Sequence, residues 1–147
     1  MDITSAIAQL LLQADIADIQ DSYGVYRISP LAGAETDIRP YLTYALTATD
    51  HYDTYTGSLP WSKAHIQIDC FSDVYADAES ILDDVRGALK DIAAITVLAP
   101  DGSKDIYIGW SKWREDADAS EPPDVGQGHS IIRLQSNYEI MYCQLED

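Results

Sequence analysis

Basic residues are scarce: the 147-residue chain has 9 Lys+Arg against 25 Asp+Glu, a formal net charge of −16 with its three histidines neutral. A surface this acidic repels phosphate and anionic lipid, which argues against a conventional nucleic-acid reader and a membrane partner. Cysteine is as sparse. Cys70 and Cys143 are the only two, each in a predicted strand and neither in a C-x-x-C pair, so reduced, buried thiols are expected in place of a disulfide or metal site. Nor does any run approach the ~18 consecutive apolar residues of a membrane span, because Gln9, Gln13 and Asp15 break the richest stretch. Residues 1–21 lack a basic leader and carry Asp2, Asp15 and Asp18, so they do not read as a signal peptide, and synthesis in the cytoplasm is expected. Finally, the spacings G-x-S-x-G, G-x-G-x-x-G, H-E-x-x-H and the P-loop are all missing. The sequence therefore points to no catalytic centre and no cofactor.

What is present suffices for a core. Apolar residues make up 46 % of the chain, and a single domain of this size buries roughly 68–70 % of its unfolded surface. In residues 3–19, Ile3, Ile7, Leu10, Leu11, Ala14 and Ala17 recur at steps of three and four, the stripe of a surface-packed helix. Residues 77–92 repeat the pattern with Ala78, Ile81, Leu82, Val85, Ala88, Leu89 and Ile92, while Asp83, Asp84, Lys90 and Asp91 take the outer side. Gly87 interrupts this helix at a cost of about 1 kcal/mol relative to alanine, which suggests close packing on a sheet.

Strands are expected at 25–28, 41–49, 63–71, 95–99, 106–114 and 130–142. In 41–49, Leu42, Tyr44, Leu46 and Ala48 share a face; in 63–71, Ala64, Ile66, Ile68 and Cys70 oppose His65, Gln67 and Asp69. In 130–142 one face holds Ile132, Leu134, Tyr138, Ile140 and Tyr142. Pro100, Asp101 and Gly102 form the turn of a hairpin, and residues 115–128, with acids, prolines and glycines but little that is large and apolar, read as a solvated loop. The expectation is one α+β domain over residues 1–147, an antiparallel sheet with two helices packed on one face.

Few side chains suggest chemistry. Asp50, His51 and Asp53 offer mixed oxygen and nitrogen ligands, but turn-favouring residues of an acidic chain produce such a triplet without a metal. His65 and His129 read as structural histidines, and the adjacent Asp83 and Asp84 do not face each other on a helix. Tyr52, Tyr55 and Trp61 cluster in the expected connection 50–62, as aromatic anchors for another subunit or partner protein or as a loop folded over its own core.

The order of pieces resembles a family. Arg27-Ile28-Ser29-Pro30, a loop with Gly33, Pro40-Tyr41-Leu42-Thr43-Tyr44, His65-Ile66-Gln67-Ile68-Asp69-Cys70-Phe71, the helix with Ala78 and Glu79, and residues 129–142 together resemble the tail completion, or tail terminator, proteins of long-tailed phages and prophages. The resemblance implies a small α+β structural protein of the virion tail, assembled in the host cytoplasm. It implies a homohexameric ring on the head-proximal end of the tail tube, which ends tube polymerisation and meets the neck or head-completion protein. DNA would pass without specific binding, through a lining that repels phosphate. The acidic residues Glu115, Asp116, Asp118, Glu121 and Asp124 would then face the DNA channel or a neighbour, although the long 115–128 segment and the Trp110/Trp113 pair depart from the family pattern. Rival readings are a head-completion or neck connector, an acidic DNA mimic that occupies a nuclease or repressor, and a hydrolase using Asp or His in a concave site.

Overall fold

Alternation decides the centre of the molecule. The computed structural model describes residues 1–21, 23–30, 39–54, 57–120 and 131–145, and side chains in all of these except 53, 54 and 57–59. Its elements are α1 (Ile3–Gln13), a 3₁₀ turn (Ala17–Ile19), β1 (Ile28–Pro30), β2 (Tyr41–Thr54), β3 (Gly57–Ser72), α2 (Tyr75–Leu89), β4 (Ala93–Val97), β5 (Ile106–Asp118) and β6 (Ile132–Gln144). The strands form one sheet in the order β1-β2-β3-β6-β5-β4. In the central β3, Ala64, Ile66, Ile68 and Cys70 are buried under the helices, and on β6 Leu134, Tyr138 and Ile140 share that side. The other side of the sheet carries the polar half of each alternation.

Both helices pack into one core. Ile3, Ile7 and Leu11 of α1 and Ala78, Ile81, Leu82, Val85 and Leu89 of α2 join the inward side chains of β3, β5 and β6. Each fully buried large aliphatic contributes roughly 1.5–3 kcal/mol. Asp2 caps α1, its Oδ1 accepting from the Ser5 amide at 2.8 Å. At the far end of α2, the Ser111 hydroxyl donates to the Leu89 carbonyl and accepts from the Ile92 amide at 3.1 Å, which ties the helix terminus to β5. No helix among the described residues is long and apolar enough to cross a membrane.

Several boundaries differ from expectation, each for a local reason. The first helix stops at Gln13 and not at 19, because Asp15 adopts φ +54°, a left-handed conformation that aspartate tolerates, and the chain turns Ile16 and Ile19 inward. The sheet is mixed and not wholly antiparallel: β1 lies parallel to β2, Ile28 opposite Leu42. A three-residue strand is too short for alternation to reveal its direction. It also starts at Ile28 and not at 25, since Val25 belongs to a hydrogen-bonded turn and is 60 % exposed. Ala48 leaves the face of Leu42 and Leu46, because an irregularity between Leu46 and Ala48 places Ala48 opposite His65. Gly87 faces outward, with nothing within 4 Å of the position a Cβ would take. β4 ends at Val97, and Leu98 is 67 % exposed.

Two expected loops are strands. The 50–62 connection is the continuation of β2 to Thr54 and of β3 back to Gly57, so Tyr52 and Trp61 sit on strands. The acidic segment begins as β5: Glu115, Asp116, Ala117 and Asp118 continue the ladder opposite Asn137, Ser136, Gln135 and Leu134. Charge implied solvent there, but a strand that has outrun β4 accepts charged side chains. Tyr55, Glu121, Asp124 and His129 lie outside the described residues.

Candidate protein-contact face

The sheet face away from the helices is the candidate site, and strand alternation writes its pattern. Its middle is a polar row across four strands. His65 Nε2 lies 3.0 Å from Asp50 Oδ2, with Lys63 Nζ 3.7 Å from the same oxygen. On the other side of the ring, His65 Nδ1 is 3.9 Å from Glu139 Oε1, which also faces Arg114 Nε at 3.4 Å. The hydrogen bond from His65, helped by the charge of Lys63, holds the Asp50 carboxyl below the usual carboxylate range.

Toward the start of β2, a second group closes the face. Asp69, 1 % exposed, receives Arg133 Nη2 at 3.0 Å and the Gln67 amide at 3.2 and 3.0 Å. The Arg133 guanidinium sits 5.2 Å above the Phe71 ring, and Phe71 stacks on Tyr41 with centroids 4.8 Å apart.

At the opposite end lies an apolar hollow of about 370 Å³, lined by Tyr52, Trp61, Gly109, Trp110 and Met141. Trp61 meets Tyr107 edge-on at 5.8 Å, and the Lys112 ammonium stands 5.3 Å from the Trp110 centroid. Thus the structure brings Tyr52 and Trp61 together, as their candidacy requires, and adds Trp110, Gly109 and Met141. A signal for Trp110 was present: residues three apart on a strand face opposite ways, so Trp110 and Trp113 cannot share a surface. Trp113 indeed lies on the helix side, with Arg86 4.3 Å above its ring.

Charge is distributed unevenly. Among the described residues the open face carries Lys63, Lys112, Arg114 and Arg133 against Asp50, Asp69, Glu115 and Glu139, four of each sign, in a chain at −16. Among the described residues the acids in excess lie off this face.

The acids of the 115–128 segment do not form one surface. Glu115 is on the open face, whereas Asp116 faces the helices, accepting from Ser136 Oγ at 2.6 Å and Trp113 Nε1 at 2.9 Å and pairing with Arg86. Asp118 is held by Ser120, through its side chain and then its amide at 2.8 Å, which keeps the carboxyl below its usual range. Asp50 and His51, neighbours on a strand, point to opposite faces, and among the described residues no group of three or more His, Cys, Asp or Glu could hold a metal ion. Both cysteines are free; burial raises the Cys70 thiol to about 12, and Cys143 is only partly covered.

No family profile and no curated protein sequence matches the chain. The fold does find a match. A chain from a solved structure described as the virion of a native gene transfer agent (GTA) particle superposes with a TM-score of 0.65 over 97 % of this chain and 95 % of that one, at 12 % identity. This chain shares its fold with a virion component. At that identity the likeness concerns architecture, and it runs nearly end to end in both chains.

Proposed function

We propose that the protein is a structural component of a phage-type virion that acts as a tail terminator. Copies form a ring at the head-proximal end of the tail tube, end its polymerisation and join the tail to the head or neck. The observation that supports this most is the end-to-end fold likeness to a chain of a GTA virion. The open face supports it independently: a hollow lined by aromatic and apolar residues, surrounded by charges that cancel, suits protein contact better than small-molecule chemistry. On this reading Tyr52 and Trp61 contact another subunit or the tube, no catalytic centre or cofactor is involved, and DNA passes without specific contacts.

Deletion of the gene, followed by electron microscopy of the particles, tests the role. Tails of uncontrolled length are expected. Tails of normal length that fail to join heads would assign a neck function instead. Normal, infectious particles would reject both.

A further inference from the structure

Ring formation requires two different surfaces on each copy that fit one another, because a head-to-tail contact that closes on itself is heterologous. The hollow of Tyr52, Trp61, Gly109, Trp110 and Met141 is one candidate surface. The turn before β1 has the properties of the other. Tyr23 is 91 % exposed and Val25 60 %, the most exposed aromatic and one of the most exposed aliphatics among the described residues. Yet the turn that displays them is tightly held: Asp21 Oδ1 accepts from the Tyr23 amide at 2.8 Å and the Val25 amide at 2.9 Å. The Asp21 amide donates to the Val25 carbonyl at 2.8 Å, Gln20 Nε2 donates to the Gly24 carbonyl at 3.0 Å, and Gly24 takes φ +81°. Below it, the Tyr26 hydroxyl donates to Asp15. A backbone held in this way has already lost freedom that binding would otherwise remove, so the rotations of the tyrosine side chain are what binding would still have to fix.

We propose that Tyr23 of one copy seats in the aromatic hollow of the next. This rests on the ring-forming reading and names its contact. Shape agrees, since a tyrosine brings 150–250 Å² of largely apolar surface with a polar tip that can remain at the rim of an open hollow. Charge agrees as well: the Asp21 carboxylate holds the Tyr23 amide at the knob, and Lys112 stands over Trp110 at the hollow. Placement permits a head-to-tail contact, because the turn leads into β1 at one edge of the sheet while the hollow lies on the open face across β2, β3, β6 and β5. Copies meeting this way also join through the face whose charges cancel, which avoids opposing two acidic surfaces.

Light scattering after size exclusion, on the full chain and its variants, tests the contact. Tyr23→Ala should weaken association by about 30-fold or more, the effect of losing an aromatic hot spot, with an unchanged thermal melt. Trp110→Ser should do the same, and Lys112→Glu should weaken it in the same direction, with its thermal melt followed as well because position 112 lies opposite Glu139. The decisive arm is mixing. Tyr23→Ala keeps its hollow and Trp110→Ser keeps its knob, so each alone should be monomeric and an equimolar mixture should form a one-to-one dimer and nothing larger. If Tyr23→Ala assembles as the parent does, the knob is wrong while ring formation stands. If the parent stays monomeric at every concentration and ionic strength, ring formation itself falls, and this contact with it.

Discussion

The indole of Trp61 lies against Gly109 so closely that a Cβ at position 109 would come within 3.0 Å of its ring. Glycine is therefore part of the hollow's construction: it lets the outer edge of an aromatic from β3 come against the backbone of β5. Gly109→Ala should displace Trp61 and cost about 1 kcal/mol, the lower range for inserting a methyl group into a packed site. A lowered melting temperature together with a shifted tryptophan emission would confirm it; an unchanged emission spectrum would show that the ring does not rest there.

Arg133 and Asp69 make a different kind of relationship. Asp69 is 1 % exposed and its strongest partner is Arg133, whose side chain is 32 % exposed. Arg133→Ala should destabilise the fold by about 2 kcal/mol, less than a fully buried pair because water reaches the arginine. The double variant Arg133→Ala with Asp69→Asn should recover part of that loss, since the stranded charge is then gone. Urea unfolding measures both, and equal losses in the single and double variants would refute the ion-pair account.

Acid should act through the polar row. The Asp50 carboxyl titrates below its ordinary 3.8 in the folded chain, chiefly because His65 donates to it. A depressed value means that its contribution is complete above pH 3.8 and is lost as pH falls through the folded value. Asp50→Asn should consequently flatten the acid limb of the stability curve, lowering stability slightly at neutral pH, where the contribution is present, and leaving it unchanged in strong acid. An identical acid limb in the variant would count against this interaction.

Association should strengthen with moderate salt. Each copy carries −16, and the Debye length falls from ~30 Å at 0.01 M to ~8 Å at about 0.15 M ionic strength, so repulsion between whole chains fades while the short attraction of Asp21 for Lys112 across the proposed contact is one among many. Light scattering at both ionic strengths, with and without magnesium, reads this directly. Rings that weaken as salt rises would mean that attraction between opposite charges governs the interface.

The parts of this structure that show in the sequence are those where an apolar period meets a covered face. Ala64, Ile66, Ile68 and Cys70 announce β3, and the heptad-like spacing from Ala78 to Leu89 announces α2, because burial and period select the same residues. Where a strand leaves the core, the signal goes with it. Glu115 to Asp118 hold no large apolar residue, and the outer halves of β2 and β3 mix acids, serines, glycine and proline with single aromatics in no regular alternation, so nothing in their composition separates a ladder from a loop. The hollow was legible only as Tyr52 and Trp61. Its other members come from two further strands, and irregularities in the ladder between Ile108 and Trp110 and between His51 and Asp53 set which way each side chain faces. Such register shifts depend on the partner strand and have no mark in local sequence.

One feature of the sheet bears on mechanics. Six strands back the core, but the ladder of β3 with β6 begins only at Trp61, and within residues 57–60 the paired positions are Gly57 opposite Thr54 and Ser58 opposite Asp53, both on β2. At ~3.3 Å per residue this two-stranded extension projects about 13 Å past the body of the sheet. It is a cantilever clamped at Trp61, and a narrow ribbon bends far more easily than the plate from which it springs. A small twist of the sheet is magnified at its far end, and a load applied there is delivered back to the clamp. Any neighbour that grips this arm therefore pulls on the wall of the aromatic hollow.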